Sequence, residues 1–289
     1  LCEKLIPEVA GRDLARFCDI FVEAGAYTLD EARAVLGAAT HHGLKLKVHA
    51  DQLSNGGGAL LAAELGAVSA EHLDYIRLLC EELIPAVAER DLARFCDIFI
   101  EAGAYTLDEA RAVLGAATHH GLKLKVHADQ LSNGGGALLA AELGAVSAEH
   151  LEYISNEGID ALASSGTVAV SLPLASLYLS EPYLPARKLL DAGVPVAVAT
   201  DFNPGSAPSF HLPLAMTLAC INQSMTPQET LNGATAIAAR AVSLQNSRGS
   251  LVPGFVADLA IIDAPTLNQW LYHFVPNACT EVLKAGHWI

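Results

Sequence analysis

Three short stretches of this sequence carry side chains able to do chemistry together. His127 lies in the run Leu122 to Gly136, LKLKVHADQLSNGGG; Glu149 and His150 stand side by side; Asp201 opens the turn Phe202-Asn203-Pro204. Two imidazoles and a carboxylate fit a catalytic zinc or iron site, which takes three protein ligands and keeps a position for water. Taken singly, each has a plainer reading: a histidine at a strand end is often just a satisfied polar group, and Asp201 can cap its own turn. The joint reading rests on placement. All lie where strands are expected to end at their C-terminal side, the rim at which parallel α/β folds gather their loops and their chemistry.

The elements that must hold these residues follow from periodicity. Leu122, Leu124 and Val126 alternate with Lys123 and Lys125, which reads as a short strand; Asn133 and Gly134 to Gly136 read as a turn opening a helix. That glycine turn suits either an anion-binding helix N-terminus or a helix pressed close to its strand. Glu101 and Tyr105 follow strand four, as residues of the same mouth or of the plain surface.

The same run occurs letter for letter at Leu44 to Gly58, because residues 1–76 match residues 79–154 with five differences: Lys4/Glu82, Glu8/Ala86, Gly11/Glu89, Val22/Ile100 and Asp74/Glu152. A solenoid needs more copies than two followed by unrelated sequence. Each copy reads as helix (Glu3 to Val9), strand (Arg16 to Val22), helix (Leu29 to Thr40), strand (Leu44 to His49), helix (Ala59 to Leu65) and strand (Ala67 to His72). The unique part adds strands at Thr167 to Leu172 and Val194 to Asp201. Eight strand ends result, near Val22, His49, His72, Ile100, His127, His150, Leu172 and Asp201, spaced like strand-helix units. Eight units close a (β/α)8 barrel, expected over residues 1–248 with copy one filling strands one to three; the alternative is a five-strand remnant with open edges. Helices are expected at His211 to Asn222 and Thr226 to Ser243. A β-rich appendage is expected over residues 249–289, with a strand pair around Gly286.

Composition sets outer bounds. A hydrophobic share of 52% and a mean hydropathy of +0.34 imply a sizeable core. No apolar run reaches the length of a spanning helix, and no leader-like stretch is read. A net charge of -15 argues against nucleic acid. The six cysteines lack CxxC spacing, which suits reduced thiols. The expected compartment is the cytoplasm and the expected partner a small-molecule substrate, with no nucleic acid and no membrane; a homodimer stays open. Nucleophile elbow, Walker loop and dinucleotide fingerprint are all missing.

Four segments carry a resemblance: KVHADQLSNGGGALLAAELGAVSAEHLEYI, VAVSLPLAS, PVAVATDFNPGSAPSFHLPLAMTLAC and GSLVPGFVADLAIID. From about Leu79 onward the chain resembles the C-terminal two-thirds of the imidazolonepropionases, in the amidohydrolase superfamily. The resemblance implies a barrel with a small β-sandwich and one divalent metal, zinc or iron. The implied reaction is opening of 4-imidazolone-5-propanoate by water to N-formimidoyl-L-glutamate, in histidine degradation. Carried over, His127 and Asp201 are expected metal ligands, and His150 and Asp201 the catalytic pair. Gln130, Asn203, Gly205 and Ser206 are expected to contact substrate. The family's strand-one His-x-His is absent, and Asp19, Phe21 and Glu23 stand in its place. Two alternatives are therefore carried forward, an inactive duplication product and another cyclic amidohydrolase.

Overall fold

Apolar side chains at every second position bury one face of the strands Phe17–Val22, Lys45–Ala50, Phe95–Ile100 and Lys123–Ala128. A computed structural model describes residues 1–22, 26–50, 57–71, 73–274 and 276–289 as two compact units, Leu1–Ala93 with Ala102–Gly121, and Arg94–Glu101 with Leu122–Ile289.

The first unit runs α1 (Leu5–Gly11), β1 (Phe17–Val22), α2 (Leu29–His41), β2 (Lys45–Ala50), α3 (Gly58–Glu64), β3 (Ser69–Glu71), α4 (Leu73–Leu78), a π-helical turn (Leu79–Leu83), α5 (Ile84–Glu89) and α6 (Leu107–His119). Its strands pair in parallel in the order β1-β2-β3, Phe21 opposite His49. Ile20, Val22, Leu46, Val48 and Ala50 turn inward onto Ala32, Leu36 and Ala39 of α2 and Leu61 of α3. The hydroxyl of Thr28 accepts from the Glu31 amide while the Glu31 carboxylate accepts from the Thr28 amide, so α2 begins on a reciprocal cap. At the junction of the copies the helix does not stop: α4 continues through the wide turn into α5. Pro85 has no amide to give Glu81 and its ring crowds that carbonyl, which favours the looser turn.

The second unit holds β4 (Phe95–Ile100), β5 (Lys123–Ala128), α7 (Gly136–Glu142), β6 (Ser147–His150), α8 (Asn156–Ser165), β7 (Val168–Ser171), α9 (Pro173–Leu179), α10 (Ala186–Asp191), β8 (Val196–Val198), α11 (Leu212–Asn222), α12 (Pro227–Ala234), α13 (Ala236–Ala241), β9 (Leu259–Ile262), α14 (Leu267–Tyr272), β10 (Cys279–Lys284) and β11 (His287–Trp288). The sheet order is β4-β5-β6-β7-β8, all parallel. β6, β7 and β8 are buried at every position, which is why β7 and β8 read as unbroken apolar runs.

All eight expected parallel strands are thus present, in hydrogen-bonded runs of three and five. Boundaries fall within about two residues of expectation except at β8, which ends at Val198 and leaves Asp201 in the following loop. His72 and Glu23 lie outside the described residues. The helix expected from Thr226 to Ser243 is broken at Thr235. There the hydroxyl donates to the Leu231 carbonyl (2.6 Å), and the amide turns to Asn232 instead (3.3 Å). The C-terminal segment forms the antiparallel sheet β11-β10-β9. Ala285 and Gly286, at φ of 51° and 81°, make the two-residue hairpin turn that strand twist favours. Asp258 pins this hairpin, accepting from the Ala285 amide (2.8 Å), Lys284 Nζ (3.0 Å) and Arg248 Nε (3.0 Å). Among the described residues no helix is long and apolar enough to cross a membrane, and no disulfide joins the cysteines.

Candidate metal centre

Strand register fixes most of the site. Leu124, Val126 and Ala128 of β5 are buried on one face, leaving Lys125 and His127 on the other. His127 stands opposite Phe99 of β4 and Glu149 of β6, so Asp97, Lys125, His127, Ser147 and Glu149 share one face of adjacent strands. Lys125 pairs with Glu149 and donates to Ser147 Oγ (2.7 Å), and Ser147 in turn donates to Glu149 (2.6 Å). Glu149 is 5% exposed, and its second oxygen, Oε2, has no hydrogen bond.

His127 meets Asp97 at Nδ1, 2.9 Å from Oδ1. Burial pulls the His127 pKa down, but the Asp97 bond and charge, with Glu149 and Asp201 nearby, outweigh it and leave the ring above its ordinary value.

Alternation alone would point His150 with Ala148, away from His127. Instead His150 and Leu151 both take left-handed φ, 74° and 68°, and the His150 ring lies 5.4 Å from the His127 ring. Such values in non-glycine residues cost of order 1 kcal/mol each and persist where neighbours enforce them. Here Leu151 is fully buried and its amide donates to Ala128 O (3.0 Å). Asp201, also left-handed at 54°, completes the group: ligand atoms of His127, His150 and Asp201 lie within 4.8 Å of one another. A second set, Asp97, His127 and Glu149, satisfies the same limit.

The Asp201 carboxylate is held from behind. Asn203 Nδ2 donates to Asp201 Oδ2 (3.1 Å) and to its carbonyl (2.7 Å), and Ser206 Oγ is 3.4 Å from Oδ2. Asn203 Oδ1 accepts from the amides of Gly205 (2.9 Å) and Ser206 (2.7 Å), closing the loop. Three of the four expected substrate contacts therefore brace Asp201 or one another. Gln130 is half-buried beyond Asp129 and makes no hydrogen bond to this set among the described residues.

The glycine turn is not an open anion site. Asp129, buried at φ 49°, accepts the amides of Gly134 (3.0 Å), Gly136 (3.2 Å) and Ala137 (3.1 Å), so the protein supplies its own anion. Burial raises the Asp129 pKa, against the pull of those amides. The close-approach reading holds: a Cβ at Gly136 would meet Ala128 Cβ at 2.7 Å. Glu101 is buried and accepts the amides of Leu131 (2.9 Å) and Ser132 (3.2 Å), bracing the loop after β5. Tyr105 belongs to the first unit.

Residues 21–289 match the amidohydrolase family. The chain belongs to the amidohydrolase family. Among curated amidohydrolase relatives, an imidazolonepropionase of Geobacillus thermodenitrificans is 49% identical over 212 residues, 73% of this chain and 50% of that protein. One of Shouchella clausii is 40% identical over 275 residues, 93% of this chain and 61% of that protein. The chain spans about half the length of the first of these relatives. Solved structures share the fold: a Xanthomonas campestris adenosine deaminase with bound zinc (TM-score 0.60, 20% identity, 90% of this chain and 68% of that one) and a triazine hydrolase variant (TM-score 0.61, 18% identity, 98% and 70%). The fold class is accordingly the α/β barrel type of amidohydrolases with a small antiparallel C-terminal sheet.

The donors present fit a divalent ion. They are imidazole and carboxylate, and Glu149 Oε2, in the second set, is buried without a hydrogen bond. Sequence reading passed over Asp97 and Glu152. The one signal for Asp97 was its copy, Asp19, which is 3.0 Å from His49 through Nε2 rather than Nδ1.

Proposed function

We propose that this amidohydrolase is a metal-dependent hydrolase of cyclic amides, of the imidazolonepropionase kind, opening 4-imidazolone-5-propanoate to N-formimidoyl-L-glutamate. The observation that carries it is the convergence of His127, His150 and Asp201 within 4.8 Å at the C-terminal rim of a parallel sheet. Identities of 40–49% to curated imidazolonepropionases support the substrate class.

His127 and Asp201 are the proposed metal ligands, with His150 beside them. A divalent ion there, zinc or iron, supplies Lewis-acid polarisation and acidifies water. Asp201 takes the proton of the attacking water and returns it to the ring nitrogen as the C–N bond breaks. Its carboxylate is steadied for this by Asn203 and Ser206. His150 faces the oxygen on which negative charge develops, and Gln130, Asn203, Gly205 and Ser206 remain the proposed substrate neighbours.

We assign residues 1–248 to the barrel, copy one taking the place of strands one to three, and residues 249–289 to the small sheet. Because copy one carries no His-x-His, turnover is expected to be far below that of an intact relative. The test is formation of N-formimidoyl-L-glutamate by the purified chain supplied with zinc or iron. Slow formation that vanishes in Asp201→Asn supports the reading; none at any metal loading leaves the inactive duplication product.

A further inference from the structure

Beside His150 the fold has placed a second acid. Glu152 follows His150 by two positions, a spacing that in an extended strand would put both side chains on one face but about 7 Å apart along it. The paired left-handed residues His150 and Leu151 fold the chain back instead, and Glu152 Oε1 comes to 3.6 Å from His150 Nδ1. The Glu152 side chain is 2% exposed and that of His150 4%. Ser176 Oγ donates to Glu152 Oε1 (3.0 Å), while Glu152 Oε2 and His150 Nδ1 are both buried without a hydrogen bond.

A buried imidazole nitrogen without a hydrogen bond, 3.6 Å from a buried carboxylate whose other oxygen is equally unserved, is costly unless the two groups come to serve one another, since a buried unsatisfied group forfeits its whole hydration. The other imidazole of the site is already arranged this way, its Nδ1 on Asp97. Hydrogen bonds of this kind are often long in a free enzyme and tighten in the working complex.

We propose that Glu152 is the positioning residue of His150: its carboxylate receives the Nδ1–H, fixing the ring so that the Nε2 edge is the one presented toward His127 and Asp201. This rests on the reading of His150 as a member of the working site. It also gives one of the five differences between the copies a role, because aspartate at the matching position 74 is a methylene shorter.

The test is the proton occupancy of His150 Nδ1, read by ¹⁵N–¹H correlation spectra of ¹⁵N-histidine protein without metal. The His150 signals are identified among the eleven histidines by their loss in His150→Gln. Wild type is expected to show a protonated Nδ1. Glu152→Met, similar in size but unable to accept, is expected to shift the ring toward the Nε2–H form that free histidine prefers. Glu152→Gln, whose amide oxygen accepts, is expected to restore Nδ1–H. Zinc affinity is expected to fall about 10–100-fold in Glu152→Met and to recover in Glu152→Gln. An unprotonated Nδ1 in wild type overturns the proposal whether or not the methionine variant folds, and so does an unchanged spectrum in that variant. A chain that neither binds zinc nor turns over would remove the functional reading, while the spectra still decide the role of Glu152.

Discussion

Asp97 Oδ1 lies 2.9 Å from His127 Nδ1, a contact made diagonally across β4 and β5, since the direct partner of His127 is Phe99. A carboxylate on one ring nitrogen leaves the other as the ligating atom and raises its basicity, as carboxylate–histidine–metal arrangements do. Asp97→Asn is therefore expected to weaken zinc binding about 10–100-fold without unfolding the chain. Competition with a chelating dye measures this; unchanged affinity would show that Asp97 is only a neighbour.

The duplication provides its own control. His49 and His127 sit in identical local sequence, yet His127 has His150 and Asp201 beside it. His127→Ala should abolish most bound metal and any hydrolysis, whereas His49→Ala should leave metal content nearly intact. Elemental analysis of both purified variants decides it, equal losses pointing to a site recruited from copy one.

Asn203 separates bracing from substrate contact. Its amide holds Asp201 Oδ2 and the Asp201 carbonyl, so Asn203→Ala should lower kcat about tenfold or more, the usual cost of a lost outer partner, with KM little changed. A raised KM at constant kcat would instead mark Asn203 as a binding contact.

Packing at the site has little slack. Gly136→Ala would place a Cβ 2.7 Å from Ala128 Cβ, and overpacking of this sort typically costs about 1–3 kcal/mol. Thermal unfolding should show a clear fall in Tm, and Gly144→Ala, with open space around its Cβ position but φ of 67°, should be affected by backbone strain alone.

Acid should loosen the C-terminal sheet. The Ala285 amide first, then Lys284 and Arg248, hold the Asp258 carboxyl well below the usual carboxylate range. A depressed folded-state pKa adds stability above the unfolded value, about 3.9, and that stability is lost as pH falls through the folded one. The gap in Tm between the wild type and Asp258→Asn should accordingly be full near pH 6 and shrink steadily below about pH 4. A gap independent of pH would mean the hairpin does not depend on this charge.

Much of the fold was readable because its signals are local. Leu124, Val126 and Ala128 declare β5 by alternation, and Thr226 with Glu229 announces the start of α12. His127, His150 and Asp201 were legible as strand-end residues. Asp97 was not, because an acid in mid-strand looks solvated until register sets it diagonally to a histidine. Glu152 was hidden for a different reason: nothing in the letters His-Leu announces two left-handed residues, a conformation imposed by burial of Leu151 and its bond to Ala128. The break at Thr235 likewise depends on one hydroxyl competing for a helix carbonyl.

The matched strand pairs leave the chain with a sorting problem. β1 meets β2 in the same register in which β4 meets β5, Phe17 on Lys45 and Phe95 on Lys123, and the paired strands differ only at Val22 and Ile100. Local pairing energy therefore hardly distinguishes β1–β5 from β1–β2, and connection length and helix docking must do the choosing. Refolding should partition between native and crossed pairings, with the crossed fraction growing with protein concentration as strands are traded between molecules. A near-perfect copy thus brings a kinetic burden that two diverged halves would escape.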